Sequence, residues 1–154
     1  SGGEPLADIT VKSSALNGIE IDPKLVPLAI DEFPAIFIAA AFAHGETVLS
    51  GAQELRVKES DRIAAMAEGL STLGITAQPT EDGMVIQGLG AEGQCEGGEI
   101  DSHHDHRIAM AFSLAALRSS EPVRIRDCDN VDTSFPGYVQ LMQQVGLNID
   151  VDQD

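Results

Sequence analysis

The chain has 154 residues, 43% of them apolar, which supports one ordinary core and argues against several independent domains. Nine Lys and Arg stand against 25 Asp and Glu, and the resulting net charge of −16 repels nucleic acid and anionic membranes, so neither is an expected partner. Cys95 and Cys128 lack a CxxC or zinc spacing, and no apolar run reaches the roughly 18–20 residues of a bilayer span, so a soluble, reduced, cytoplasmic setting is expected. The Ser1-Gly2-Gly3 start reads as an internal cut or an added scar, without a signal peptide.

In chain order, the first informative segment is DEFPAIFIAAAFAHGETVLSG, which opens on Asp31. It predicts a helix apolar nearly all round, with Asp31 as its cap and Pro34 in its first turn, followed by a strand at ETVLSG. Next comes ELRVKESDRIAAM, residues 54 to 66, where Arg56, Lys58 and Arg62 surround Glu59 and Asp61 at a helix entry, with Ser60 as the expected N-cap. A helix N-terminus presents unpaired N–H groups and a positive dipole end, so cations gathered there suit phosphate or carboxylate. The alternative is a solvated, charged helix entry. Against it, a chain with nine cations places three of them within seven residues.

Ile63, Met66, Ala67 and Leu70 then repeat at i, i+3, i+4, i+7, an amphipathic helix stopped by Gly74. ITAQPTEDGMVIQG follows as two strands joined at Glu81-Asp82-Gly83. The segment DHRIAMAFSLAALRSSEPVRIRD repeats the earlier pattern from Asp105: aspartate, apolar helix, polar break and a strand at PVRIRD. A second amphipathic stripe of Tyr138, Leu141, Met142 and Val145 ends at Gly146, and LNIDVD reads as a last strand.

Asp31 and Asp105 lie 74 positions apart, so the chain is an α/β (α+β) repeat. Residues 1–154 form a partial lobe of two strand-helix-strand-helix-strand units, approximately 5–80 and 81–153. A helix apolar all round needs cover on every side. Two such helices exceed what two small sheets cover, so a third unit is expected elsewhere in the parent chain or on a partner.

His103, His104 and His106 with Asp101 and Asp105 invite a metal reading, but adjacent residues point apart and the i, i+4 pair of a chelating helix is missing. The competing reading has Asp105 cap the helix while His106 and Arg107 occupy its first positions, aiming a cation across the N-terminus. A cap with merely exposed histidines is the bland alternative. Asp31, at the mouth of the first apolar helix, could accept a proton from a substrate hydroxyl, with Glu59 as a second acid or base.

LRVKESDRIAAMAEGLSTLG, DHRIAMAFSLAAL and TSFPGY, in this order, resemble the carboxy-terminal part of the 5-enolpyruvylshikimate-3-phosphate (EPSP) synthase family. The resemblance implies one lobe of a two-lobe enolpyruvyl-transferase fold, an inverse α/β prism of three βαβαββ units per lobe. Two units would be present here and the third missing. It implies transfer of enolpyruvyl from phosphoenolpyruvate to the 5-hydroxyl of shikimate 3-phosphate, with release of phosphate and no metal or organic cofactor.

Carried over by motif, Asp31 would contact the shikimate hydroxyls and serve proton transfer, and Glu59 would be the acid-base residue at the methylene carbon. Lys58 would contact shikimate 3-phosphate, and Arg62 and Arg107 would grip phosphoenolpyruvate. Asp105 and His106 would support Arg107. Two positions depart from the pattern: Thr133 stands where well-known members have a lysine, and Glu54 where some have an asparagine. The missing amino-terminal part would supply the facing lobe, so the chain alone is expected to be inactive. Three other readings are a fragment of the UDP-N-acetylglucosamine enolpyruvyl transferase, a histidine-based metal hydrolase and a non-catalytic assembly module.

Overall fold

The computed structural model of the protein describes Gly3 and residues 6–152. The expected unit limits near 5 and 153, and Ser1 and Gly2 of the starting tripeptide, lie outside the described residues.

Two 3₁₀ turns, Pro23–Leu28 and Ile30–Glu32, lead into helix α1 (Phe33–Ala41), whose first turn holds Pro34. Phe33, Phe37, Ile38, Ala40 and Ala41 are buried, whereas Ala35 and Ala39 are exposed. The helix is apolar all round yet covered mainly on one side by the described residues. Strand β1 (His44–Leu49) follows, and a 3₁₀ turn at Gln53–Val57 precedes helix α2 (Arg62–Thr72). Ile63, Met66, Ala67 and Leu70 are all buried, as their spacing predicts, and Gly74 takes φ 74° just beyond the helix, where a side chain would be strained.

The predicted hairpin is formed by β2 (Ala77–Pro79) and β3 (Met84–Leu89). β3 also pairs antiparallel with β1, His44 opposite Leu89 and Leu49 opposite Met84, giving the order β1-β3-β2. Residues 84–89 thus join the first unit's sheet from beyond the expected boundary at 80/81. Leu49, Met84 and Ile86 face the core in the period of two that a half-buried sheet requires.

A second sheet is a parallel pair, β4 (Gly98–Asp101) and β5 (Val123–Arg126), with helix α3 (His106–Ala115) between them in sequence. Parallel strands need such a crossover. Helices α4 (Val131–Ser134) and α5 (Tyr138–Gln144) complete the chain, and Gly146 takes φ 100° after α5.

Three expectations are corrected. LNIDVD forms no strand: Leu147 is buried, but 147–152 has no ladder, and the Gln143 side chain donates to the Ile149 carbonyl. The first unit's opening strand is reduced to isolated bridges of Asn17 with His44 and Glu20 with Val48. The stripe on α5 is buried only at Tyr138, while Leu141 and Val145 are exposed. A stripe is covered only where a second element meets it, and α5 is tied to α3 at its first residue, where the Tyr138 and Ser113 hydroxyls lie 2.7 Å apart.

The core sits where the helices meet the sheets. Gly69 of α2 faces Phe112 of α3 so closely that a Cβ on Gly69 would come within 2.2 Å of the ring. Phe112 is fully buried, so Phe112→Ala leaves a cavity and is expected to cost about 3–5 kcal/mol. Urea unfolding of the variant beside the unsubstituted chain measures the loss.

Candidate active site

The segments opening α1, α2 and α3 converge, and the predicted site residues lie there. Their positive dipole ends favour carboxylates close by. Asp105 is the N-cap of α3 as the sequence predicts, its Oδ1 accepting from the Arg107 backbone N–H at 2.9 Å. Asp31 breaks the parallel. It lies in the 3₁₀ turn ahead of α1, whose N-cap is Glu32 without a side-chain bond. Nor does Ser60 cap α2: Asp61 does so, accepting from Ala64 N–H at 3.0 Å, while the Ser60 hydroxyl donates to Asp105 Oδ2 at 3.0 Å.

Arg62 is the centre of the arrangement. Its side chain is buried, and every nitrogen of its guanidinium is engaged: Nε donates to Asp105 Oδ2 at 2.8 Å, Nη1 to Asp31 Oδ1 at 3.1 Å and Nη2 to Glu59 Oε2 at 2.6 Å. Nη2 also reaches Asp105 Oδ1 at 3.4 Å. Two further cations approach Asp31: Lys58 Nζ at 3.6 Å and Arg107 Nη2 at 3.7 Å. Arg107 Nη1 donates to the Asp31 carbonyl at 2.9 Å and lies 3.5 Å from Glu32. Lys58 is held more tightly by Glu54, at 2.5 Å.

Burial pushes the Asp31 carboxyl up, but the Arg62 hydrogen bond and the charges of Arg107, Lys58 and Arg62 outweigh it and hold Asp31 below its ordinary value. The same contest at Asp105 is decided for the carboxylate by the Arg62 hydrogen bond and charge, then by Ser60 and the Arg107 amide. Burial pulls the Arg62 guanidinium down, and the Asp105 bond and charge more than restore it. The hydrogen bond from Lys58 to Glu54 is the largest influence raising the lysine.

The structure therefore brings Asp31, Lys58, Glu59, Arg62, Asp105 and Arg107 together. His106 begins α3 and is half-buried. Asp105 and His106 are expected to hold Arg107, and here the structure differs: Asp105 takes only the Arg107 amide, its carboxylate serving Arg62, while the Arg107 guanidinium is held by Asp31 and Glu32. The remaining histidines diverge, His104 to Asp127 at 2.9 Å and His103 to Asp101 at 3.7 Å. Among the described residues no three of His, Cys, Asp or Glu are placed to hold a metal, and no helix is long and apolar enough to cross a membrane.

The Glu54 clasp on Lys58 was readable from its i, i+4 spacing. The Asp105 bonds to Ser60 and to Arg62 were not, since 45 and 43 positions separate the partners.

Asp105→Asn removes a charge that compensates the buried Arg62. The loss at pH 7 is expected to be about 3–5 kcal/mol. Because the folded carboxyl titrates below its unfolded value, its contribution is fully present above the unfolded pKa of about 4 and fades as pH falls below it. Urea unfolding at pH 7 and pH 3 should show the penalty shrinking in acid.

Comparison with known proteins matches residues 2–142 to the family model for EPSP synthase (3-phosphoshikimate 1-carboxyvinyltransferase). The chain is 63% identical over 151 residues to the 3-phosphoshikimate 1-carboxyvinyltransferase of Halorhodospira halophila, covering 98% of this chain and 33% of that protein. It is 63% identical over 150 residues to the Methylococcus capsulatus protein of the same name, covering 97% and 33%. A solved EPSP synthase from Acinetobacter baumannii superposes with a TM-score of 0.88 at 57% identity, covering 90% of this chain and 32% of that one. The chain thus spans about a third of the length of these relatives. By its matched residues, its fold and the identity of its relatives, the chain belongs to the EPSP synthase family.

Proposed function

We propose that this chain is the carboxy-terminal part of a 3-phosphoshikimate 1-carboxyvinyltransferase. The complete enzyme moves enolpyruvyl from phosphoenolpyruvate to the 5-hydroxyl of shikimate 3-phosphate and releases phosphate. The observation that carries this reading is the convergence of Lys58, Arg62 and Arg107 on Asp31, with Glu59 held by the same Arg62, where three helices begin. Two anionic substrates need several cations, and proton transfer at oxygen and at carbon needs two carboxyl groups.

Each residue then has a task its geometry suits. Asp31, kept ionised by three cations, orients the 5-hydroxyl and takes its proton as the oxygen attacks C2 of phosphoenolpyruvate. Glu59 delivers a proton to C3 and later removes one, so the tetrahedral intermediate expels phosphate and leaves the enolpyruvyl ether. Arg107 presents its planar guanidinium to the carboxylate or phosphate of phosphoenolpyruvate, and Arg62, buried and fully engaged by Asp105, Asp31 and Glu59 in this structure, joins it as the incoming anion displaces Asp31 or Glu59. Lys58 meets shikimate 3-phosphate. No cofactor is assigned to the reaction.

The rest of the enzyme supplies the opposite lobe and the third unit of this one. Ala35 and Ala39 on α1, with Met110 and Leu114 at the edge of α3, are the surface that unit would cover. The two units, about 5–80 and 81–153, and the cytoplasmic setting suggested by the free cysteines belong to the same proposal. The family match favours shikimate 3-phosphate over UDP-N-acetylglucosamine as acceptor.

The isolated chain is expected to release no phosphate, and the full-length enzyme carrying it to do so only when both substrates are present. Glu59→Gln in that enzyme should lower kcat about 10²- to 10⁴-fold. Turnover by the isolated chain, or an unaffected kcat in the variant, would overturn the assignment. Glu54→Gln frees Lys58 from a weak, exposed ion pair, so KM for shikimate 3-phosphate should fall, by no more than about fivefold, in steady-state assays.

A further inference from the structure

We infer that Arg56 is a positioning residue: it buckles the segment that presents Lys58 and Glu59, and it does not itself grip an anionic substrate. Its effect on turnover rests on the enolpyruvyl-transfer reading; the buckle itself does not.

In the sequence Arg56 is one of three cations in RVKESDR, alike in promise to Lys58 and Arg62. In the structure it is turned to a different task. Nε donates to the Glu81 carbonyl at 2.8 Å, Nη2 to the Thr80 carbonyl and Nη1 to Asp61 Oδ2 at 2.7 Å. All three nitrogens are thus engaged, two on the turn between β2 and β3 and one on the N-cap of α2. Lys58, Arg62 and Arg107 meet at Asp31, while Arg56 is bound to this turn and cap.

The bond from Arg56 to Asp61 closes a loop of which Lys58, Glu59 and Ser60 form the crown. Apolar packing contributes little at the start of that crown, where Val57 is 79% exposed. Side-chain bonds of Lys58 to Glu54, of Arg62 to Glu59 and of Ser60 to Asp105 tie the crown to the site, and its backbone is anchored at its ends. At one end Asp61 is fixed twice, by Arg56 and by the Ala64 amide. At the other, the same turn grips the chain just upstream: Gly51 N–H donates to Asp82 Oδ2 and Ala52 N–H to the Asp82 carbonyl, both at 2.7 Å. The turn is therefore a brace outside the site, and Arg56 links it to the loop.

The chemistry of the side chain matters here. A guanidinium offers donors in a fixed plane, so it can satisfy acceptors on two elements at once. Lysine keeps the charge but has one flexible ammonium. Arg56→Lys should therefore retain the electrostatics of an anion site and lose the buckle.

The test uses Arg56→Lys in the full-length enzyme, with Asp82→Ala as a second variant that cuts the brace from its other side. Hydrogen exchange at the Leu55 and Ala64 amides, the hydrogen-bonded groups at the two ends of the loop, should rise at least about tenfold in both, with α2 beyond its first turn unchanged. The kcat should fall about ten- to hundredfold, by misplacing Glu59. In the Glu59→Gln background Arg56→Lys should add less than about twofold, because both then act through one group. Unchanged exchange in both variants, multiplicative losses with Glu59→Gln, or a rise in phosphoenolpyruvate KM without loss of kcat would overturn the inference, the last by making Arg56 a direct ligand. If the unsubstituted enzyme fails to release phosphate, the enolpyruvyl reading falls and exchange alone decides the buckle.

Discussion

The rest of the site depends on one buried bond, between the Arg62 guanidinium and the Asp105 carboxylate, 2.8 Å apart with both residues out of solvent. Taking two charges out of water costs several kcal/mol each, so such a pair persists only with good geometry and satisfied remaining donors and acceptors. Here both conditions hold. Asp105 also accepts from Ser60 and from the Arg107 amide, and Arg62 spends its other nitrogens on Asp31 and Glu59. The bond ties the start of α2 to the start of α3, and through Asp31 to the turn before α1. Three helices that begin far apart in sequence are thereby held at one point.

That geometry also sets the electrostatics. Asp31 is nearly half exposed, yet three cations hold its carboxyl below the ordinary value. A carboxylate kept ionised beside cations is suited to accept a hydrogen bond from a hydroxyl, and cations gathered beside it suit an anionic ligand. Glu59 shares Arg62 with Asp31, so the two carboxyl groups are positioned by the same guanidinium. A single substitution at Arg62 or Asp105 would disturb both.

Much of this was legible in the chain. Ile63, Met66, Ala67 and Leu70 set the buried face of α2, Gly74 and Gly146 marked helix ends, and the hairpin fell at its expected turn. The repeat placed Asp31 and Asp105 at corresponding positions, and the RVKESDR and DHR motifs named the residues that meet. Sequence could not show that, of Asp31 and Asp105, only Asp105 caps its helix, because capping depends on the turn leading in, and Asp31 enters through a 3₁₀ turn. It also failed where burial needs a neighbour: the α5 stripe and LNIDVD have the right pattern, but among the described residues nothing turns them into a buried face or a paired strand. The partners of Arg56 were hidden for a related reason. Its charge was visible, but its acceptors are backbone carbonyls of a turn 24 and 25 residues away.

The most direct measurement is of the Arg62 guanidinium itself, by ¹H–¹⁵N NMR of its Nε–H in the chain at neutral pH. A preformed hub gives a slowly exchanging Nε–H resonance, displaced from those of exposed arginines, that reverts to their shift and fast exchange in Asp105→Asn. An Arg62 signal already indistinguishable from exposed arginines in the unsubstituted chain would contradict the buried bond on which the site is built.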